Sequence, residues 1–160
     1  MNDVFWLLPG VLAGRAGPNR EPWRISDFRD AGIRAVLYVN DGELCHPDEL
    51  AVADIAYRCI PLSANAPPRV GDRDHCEAIL PEAYAFVTSN LKLGSATLVH
   101  CSSGKDRTAL FMAHYLVRSR PYSPAEAVAK VKAVRPIAFT AEGWEPFALE
   151  VLAAIGGRGD

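Results

Sequence analysis

Apolar residues recur along this chain in short blocks whose spacing switches between the period of a strand and that of a helix. Val4 to Leu8 and Val11 to Ala13 are compact apolar runs on either side of Pro9-Gly10, a dipeptide that marks a turn, so the chain is predicted to open with a β-hairpin. Glu21 to Ala31 has a proline near a helix start and Gly32 after its end. It reads as a helix, and the β-branched run Ile33 to Val39 after it as a strand. A weaker copy of that pair follows, with Pro47 to Ala53 as a short helix and Ile55 to Ile60 as a strand. Pro61 to Gly71 then carries three prolines and breaks the regularity.

The next helix is predicted from about Asp74 to Leu91, opened by Asp74 with Glu77 at capping-box spacing; Pro81 inside it should kink it or mark its true start. Thr97 to His100 reads as a short apolar strand and Thr108 to Val117 as an apolar helix. Ser123-Pro124-Ala125-Glu126 joins a capping box to a proline at the first helical position, so a helix should run to about Val134, where Arg135-Pro136 stops it. Trp144, Phe147, Ala148, Val151, Leu152 and Ile155 fall at steps of three and four, the stripe of a helix packed on a core. Residues 155–160, ending in Gly156-Gly157-Arg158-Gly159-Asp160, read as a disordered tail. Strands alternating with helices give a single α/β domain over 1–160, with a central, mostly parallel sheet of about four to five strands flanked by helices.

Composition narrows this picture. With 160 residues, 49% apolar and 22% charged, the chain can bury a core as one domain and is not of the disordered class. Seventeen basic residues against 19 acidic ones give a net charge of −2, which supplies no bulk field for nucleic acid, so any positive site must be local. Cys45, Cys59, Cys76 and Cys101 form no Cys-x-x-Cys pair and no dense disulfide pattern, which favours a reducing compartment. No apolar stretch approaches the roughly 20 residues needed to cross a bilayer, and the first residues lack the basic start of a signal peptide. The expectation is a cytoplasmic protein without stable membrane insertion; a monomer is compatible with the pattern, and no cofactor or metal is called for.

The chemistry concentrates in His100-Cys101-Ser102-Ser103-Gly104-Lys105-Asp106-Arg107-Thr108, between an apolar strand and a helix. A loop wrapping from a strand end to a helix start turns successive backbone N–H groups inward and forms an anion nest completed by the helix dipole. Ser102, Ser103 and Gly104 are small enough for close approach, and Arg107 presents a planar fork of donors that matches two oxygens of a phosphoryl group. Cys101 at the base of such a loop lies in the cationic surroundings in which a thiol gives way to the nucleophilic thiolate. In-line attack on phosphorus would give a cysteinyl-phosphate that water later cleaves, with the Thr108 hydroxyl placed to stabilise the departing sulfur.

These residues resemble the signature of the cysteine-based protein tyrosine phosphatase superfamily, His-Cys-x5-Arg followed by Ser or Thr. The opening Leu8-Pro9-Gly10-Val11-Leu12-Ala13-Gly14 resembles that of its compact dual-specificity branch. The resemblance implies Cys101 as nucleophile, Arg107 as phosphate ligand, Ser102, Ser103, Gly104, Lys105 and Asp106 as backbone amide donors, and His100 as a structural support beneath the loop. Its substrates would be phosphotyrosine or other phosphorylated proteins, with phosphoinositides or inositol phosphates as the alternative. A non-catalytic phosphate-binding module, or sulfur or arsenate redox chemistry at Cys101, are the readings from other classes.

The proton donor is where the chain departs from the family pattern. Dual-specificity relatives carry an Asp on the loop after the strand that corresponds to Ile55 to Ile60, whereas Pro61 to Arg69 contains no carboxylate. Asp106, inside the loop, and Asp72 or Asp74, downstream of the proline-rich segment, are the candidates, each with a structural alternative: a loop-bracing ion pair for Asp106, helix caps for the other two. Lys105 at the loop rim would favour a polyanionic head group. Cys59 or Cys76 could trap an oxidised Cys101 as a disulfide.

Overall fold

The computed structural model describes residues 1–63 and 65–156. Two short strands, β1 (Phe5–Leu8) and β2 (Leu12–Arg15), form the expected hairpin, closed by a Val11 N–H to Leu8 carbonyl bond of 2.9 Å. After α1 (Ile25–Asp30) come β3 (Ile33–Tyr38), α2 (Pro47–Val52), β4 (Ala56–Cys59), α3 (Asp72–Lys92) and β5 (Ala96–His100). Three helices finish the described chain, α4 (Asp106–Ser119), α5 (Pro124–Val134) and α6 (Trp144–Gly156). The five strands make one sheet in the order β1-β2-β5-β3-β4, antiparallel only between β1 and β2. The sheet is therefore mostly parallel, as the alternation of strands and helices predicts.

Parallel strands need crossover helices, and these cover both faces of the sheet. On β5, Leu98 packs on one side with Phe28 of α1 and Leu50 of α2, while Val99 packs on the other with side chains of α3, α4, α5 and α6. The central strand is buried along its whole length, and so is α4 from Thr108 to Leu116, so the β5-loop-α4 unit runs through the middle of the protein. Its ends are consequently fixed by packing rather than by the loop between them.

Four features differ from the sequence reading. The capping box at Asp74 and Glu77 does not form: α3 starts at Asp72 after Gly71, which has a left-handed φ of 94°, and no side chain caps it. Glu77 instead meets Arg73 at 3.1 Å. Pro81 neither starts nor ends this helix, which runs 21 residues through it, because the buried face from Cys76 to Val87 continues on both sides of the proline. Glu21 to Arg24 lie ahead of α1 rather than inside it. At the C-terminus, Ile155 and Gly156 belong to α6, with Ile155 buried; the rest of the expected tail, 157–160, lies outside the described residues.

Candidate active site

The loop between β5 and α4 lies at the carboxyl end of the parallel strands, where crevices form in α/β sheets. Its form follows from where its carbonyls go. The Cys101 carbonyl accepts from His100 Nδ1 at 3.1 Å and the Ser102 carbonyl from the Gly17 N–H at 2.9 Å. Those of Ser103 and Gly104 accept from Arg135, from Nη2 at 2.8 Å and from Nε at 3.1 Å. In a trans peptide the N–H points opposite to the C=O. Four consecutive carbonyls held outward therefore leave the N–H groups of Ser102, Ser103, Gly104 and Lys105 facing inward. The first amides of α4 continue the nest with unpaired donors and the positive end of the helix dipole.

Gly104 makes the turn possible. Its φ is +65°, and an added Cβ would lie 2.5 Å from the Arg15 carbonyl carbon and 2.8 Å from the Ala16 nitrogen, backbone atoms that cannot yield.

Cys101 is 1% exposed at the base of this nest, and the Thr108 hydroxyl donates to its sulfur at 3.2 Å. Arg107 lies in the first turn of α4 and is held from two sides. Its Nε donates to the Ser63 carbonyl, and its guanidinium lies 5.0 Å above the ring of the fully buried Trp144. The Trp144 indole N–H in turn donates to the Asn65 carbonyl at 2.9 Å. The proline-rich segment is thus tied to the arginine and to α6.

His100 is completely buried under the loop, stacked on Tyr38 with ring centroids 4.6 Å apart and edge-on to Trp23 at 5.1 Å. Burial, aided by the charge of Arg15, pushes its pKa down to about 4 against the opposing bond to the Cys101 carbonyl. The ring is therefore neutral, with its proton on Nδ1 where the carbonyl accepts and Nε2 facing the Cys45 thiol at 3.9 Å. Beside it the Glu43 side chain is 6% exposed and lies 3.8 Å from His100 Nδ1, and burial raises its pKa.

The three candidate acids occupy different positions. Asp106 is 5% exposed; its Oδ1 accepts the Ala141 N–H at 3.2 Å, tying the loop to the α5–α6 connection, and its Oδ2 is 4.0 Å from Lys105 Nζ. Asp72 accepts from the Arg69 N–H at 2.6 Å and from Asn65 Nδ2 at 3.0 Å. What burial it has pushes its pKa up, but these bonds, with help from Ser63 and the charge of Arg69, outweigh that and hold it below the ordinary value. Asp74 is exposed on α3.

Lys105 shares a cleft with Arg20, Ser103 and Arg135 on the outer wall of the loop, and Arg20 Nε reaches the Ser102 hydroxyl at 3.3 Å. Among the described residues no group of three His, Cys, Asp or Glu side chains forms a metal site, and no helix is long and apolar enough to cross a membrane. All four cysteines are free thiols.

Sequence reasoning located the loop itself but missed its supports. Asp3, Arg135, Trp144 and the Ser63 carbonyl come from distant elements; Arg135 was read only as a helix stop before Pro136 and Trp144 only as part of a core stripe.

Comparison with known proteins agrees with this geometry. Residues 28–144 match the family model described as the catalytic domain of dual specificity phosphatases. Human dual specificity protein phosphatase 12 is 29% identical over 155 residues, 96% of this chain and 42% of that protein. The phosphatidylglycerophosphate phosphatase PTPMT1 of Arabidopsis thaliana is 27% identical over 130 residues, 78% of this chain and 36% of that protein. The chain thus spans less than half the length of these curated relatives. The crystal structure of PTPMT1 in complex with PI(5)P superposes with a TM-score of 0.78 at 19% identity, covering 99% of this chain and all of that one. The active form of Tk-PTP gives 0.77 at 22% identity, with 98% of each chain covered, and both likenesses speak for the fold. With the family match reaching from α1 to the start of α6 and taking in the entire loop, the chain belongs to the dual specificity phosphatase catalytic-domain family.

Proposed function

We propose that the protein is a phosphomonoesterase acting on phosphotyrosine or other phosphorylated protein side chains through a cysteinyl-phosphate. The observation that carries this reading is the inward nest of amides over Cys101, closed by Arg107 and furnished with a Thr108 bond to the sulfur. Arg107 and the amides hold the three non-bridging phosphoryl oxygens, stabilising the charge of the transition state. The Cys101 sulfur attacks phosphorus, the S–P bond forms, and the P–O bond to the leaving group breaks. Asp106 gives its proton to that leaving oxygen. Water then attacks phosphorus and passes a proton to the Asp106 carboxylate, and the S–P bond breaks with the Thr108 hydroxyl stabilising the sulfide. Asp106 is preferred to Asp72 because the latter is committed to Arg69 and Asn65 and is held in its ionised form.

A second reading, hydrolysis of a phosphoinositide or inositol phosphate, is supported by Arg20 and Lys105 in the cleft beside the loop, which Asp3 and Glu21 also line, and by the PI(5)P bound in a solved PTPMT1 structure. The four free thiols support a reducing, cytoplasmic setting. The test is a pH profile of para-nitrophenyl phosphate hydrolysis for Asp106→Asn and Asp72→Asn, followed by phosphotyrosine, phosphoserine and phosphoinositide substrates. Asn at 106 can still accept the Ala141 N–H, so that variant removes the proton and keeps the brace. The alkaline limb should flatten in Asp106→Asn and persist in Asp72→Asn; the reverse would transfer the role to Asp72. Preference for phosphoinositide over phosphopeptide would favour the second reading.

A further inference from the structure

A ring of inward N–H groups is held only as firmly as the carbonyls on its outer side. In this loop two of those four carbonyls, Ser103 and Gly104, depend on one side chain from another element, Arg135 at the end of α5. Its guanidinium is itself fixed. Nη1 and Nη2 donate to the two carboxylate oxygens of Asp3 at 2.8 and 3.0 Å, and the plane lies 4.7 Å over the Phe5 ring. Asp3 has a left-handed backbone, φ 64°, and its Oδ2 also accepts the Ala16 N–H at 2.9 Å, next to the Arg15 backbone against which Gly104 packs. The N-terminal segment, the end of α5 and the loop thus meet at a single guanidinium whose fork spans two carbonyls and a carboxylate, a geometry that a lysine cannot reproduce.

We propose that Arg135, oriented by Asp3, is a positioning residue for phosphate binding: it keeps the Ser103–Gly104 and Gly104–Lys105 peptides turned so that the N–H groups of Gly104 and Lys105 face the phosphoryl oxygens. It does not touch substrate. Gly104 sits between these two peptides, and glycine opposes rotation of its flanking planes less than any other residue, so their orientation rests on outside partners. Loss of the clamp lets either plane turn a carbonyl toward the anion, which replaces a donor by an acceptor where negative charge must sit. The inference rests on the phosphatase reading for its consequence but on loop geometry alone for its structural part.

The experiment uses the full chain with Arg135→Lys and Asp3→Asn, and Ser123→Ala as a control that weakens α5 at its other end without touching the loop. Orthovanadate affinity, the kcat and KM of para-nitrophenyl phosphate hydrolysis, and the backbone amide NMR signals of Ser103 to Lys105 are read for each folded variant. Arg135→Lys is expected to weaken vanadate binding about 10-fold or more and raise KM more than it lowers kcat, with the Gly104 and Lys105 amides displaced even without ligand. Asp3→Asn should show the same pattern at about a third of the size, since the fork remains but is less firmly held. Ser123→Ala should lower the melting temperature and leave vanadate affinity within 2-fold. Unchanged loop amides and vanadate affinity in Arg135→Lys, or the same loss in Ser123→Ala, would overturn the clamp. Failure of the phosphatase reading looks different: the wild type itself would neither bind vanadate nor turn over, while the amide signals would still report whether the clamp exists.

Discussion

On the proposed mechanism, Gly104 and Thr108 divide the work of binding and turnover between them. Gly104→Ala places a methyl against the Arg15 and Ala16 backbone at a positive φ, so the loop must rearrange although the core is untouched. Phosphate or vanadate affinity is expected to fall at least 10-fold, and the strain, on the order of 1–3 kcal/mol, should lower the melting temperature as well; titration with vanadate together with a melting curve checks both. Thr108→Val removes the hydroxyl that bonds the sulfur but retains a buried side chain of similar shape. The second chemical step should slow more than the first, so the burst of para-nitrophenol in stopped-flow measurements should grow relative to the wild type, toward one per enzyme. At this scale the sequence was most readable where chemistry is contiguous: Cys101, Arg107 and Thr108 fall on one strand-loop-helix unit, and their meeting around one loop follows from spacing. It was unreadable where partners are 31 to 132 positions apart, as for Asp3 with Arg135, a pair with no local pattern. Asp106 lies between these cases, since its position was legible but its bond to the Ala141 N–H was not.

At the scale of elements, α5 is the helix whose ends the sequence dictated most directly. Ser123 accepts the Glu126 N–H at 3.2 Å and the Glu126 carboxylate accepts the Ser123 N–H at 3.3 Å, a complete capping box with proline behind it. Ser123→Ala should cost about 1 kcal/mol of stability, measurable by urea unfolding. The same spacing failed at Asp74 and Glu77 because the connection before α3 offered a competing start: Asp72 bonds the Arg69 N–H and Gly71 supplies the left-handed turn, so the helix begins a half-turn earlier. Pro81 was misleading for a related reason. A proline removes one backbone bond, but the side chains of Cys76, Leu80, Ala83 and Val87 bury one continuous face, and that burial outweighs a local break. Local turn and capping bonds therefore set the starts of α3 and α5, and tertiary packing carried α3 through Pro81.

For the whole molecule, the sheet sandwiched between two apolar clusters carries the loop at its center, so stability and site integrity are linked through buried groups under it. His100 has a pKa near 4 and His114 one near 3, both lowered first by burial, and each folds as the neutral ring. An unfolded histidine takes a proton near pH 6.5 that the folded one refuses, so stability is complete above that pH and falls as pH drops from about 6.5 toward 4. Asp3, held below its ordinary value chiefly by its bond to Arg135, adds a further loss at still lower pH, as the carboxylate that anchors the clamp is protonated. For His100 alone the loss by pH 4 is on the order of 3 kcal/mol. Denaturant unfolding between pH 7 and 4 should show this decline, and His100→Asn should flatten it in part; a pH-independent midpoint would mean that His100 is protonated in the fold. The layered architecture and the mostly parallel sheet were legible from the alternation of apolar blocks, because each block had to be covered by a helix. The order β1-β2-β5-β3-β4 was not, since pairing between strands far apart in sequence leaves no periodic mark.

The most direct measurement is para-nitrophenyl phosphate hydrolysis by the wild type and by Cys101→Ser, with the acid-quenched wild type analysed by mass spectrometry during turnover. The expected result is hydrolysis by the wild type, a phosphoryl group found on Cys101 after the quench, and no detectable turnover by a Cys101→Ser protein that melts as the wild type does and still binds vanadate. Turnover that survives in Cys101→Ser, or a folded wild type that binds vanadate and hydrolyses no phosphomonoester, would contradict a cysteinyl-phosphate mechanism at this loop.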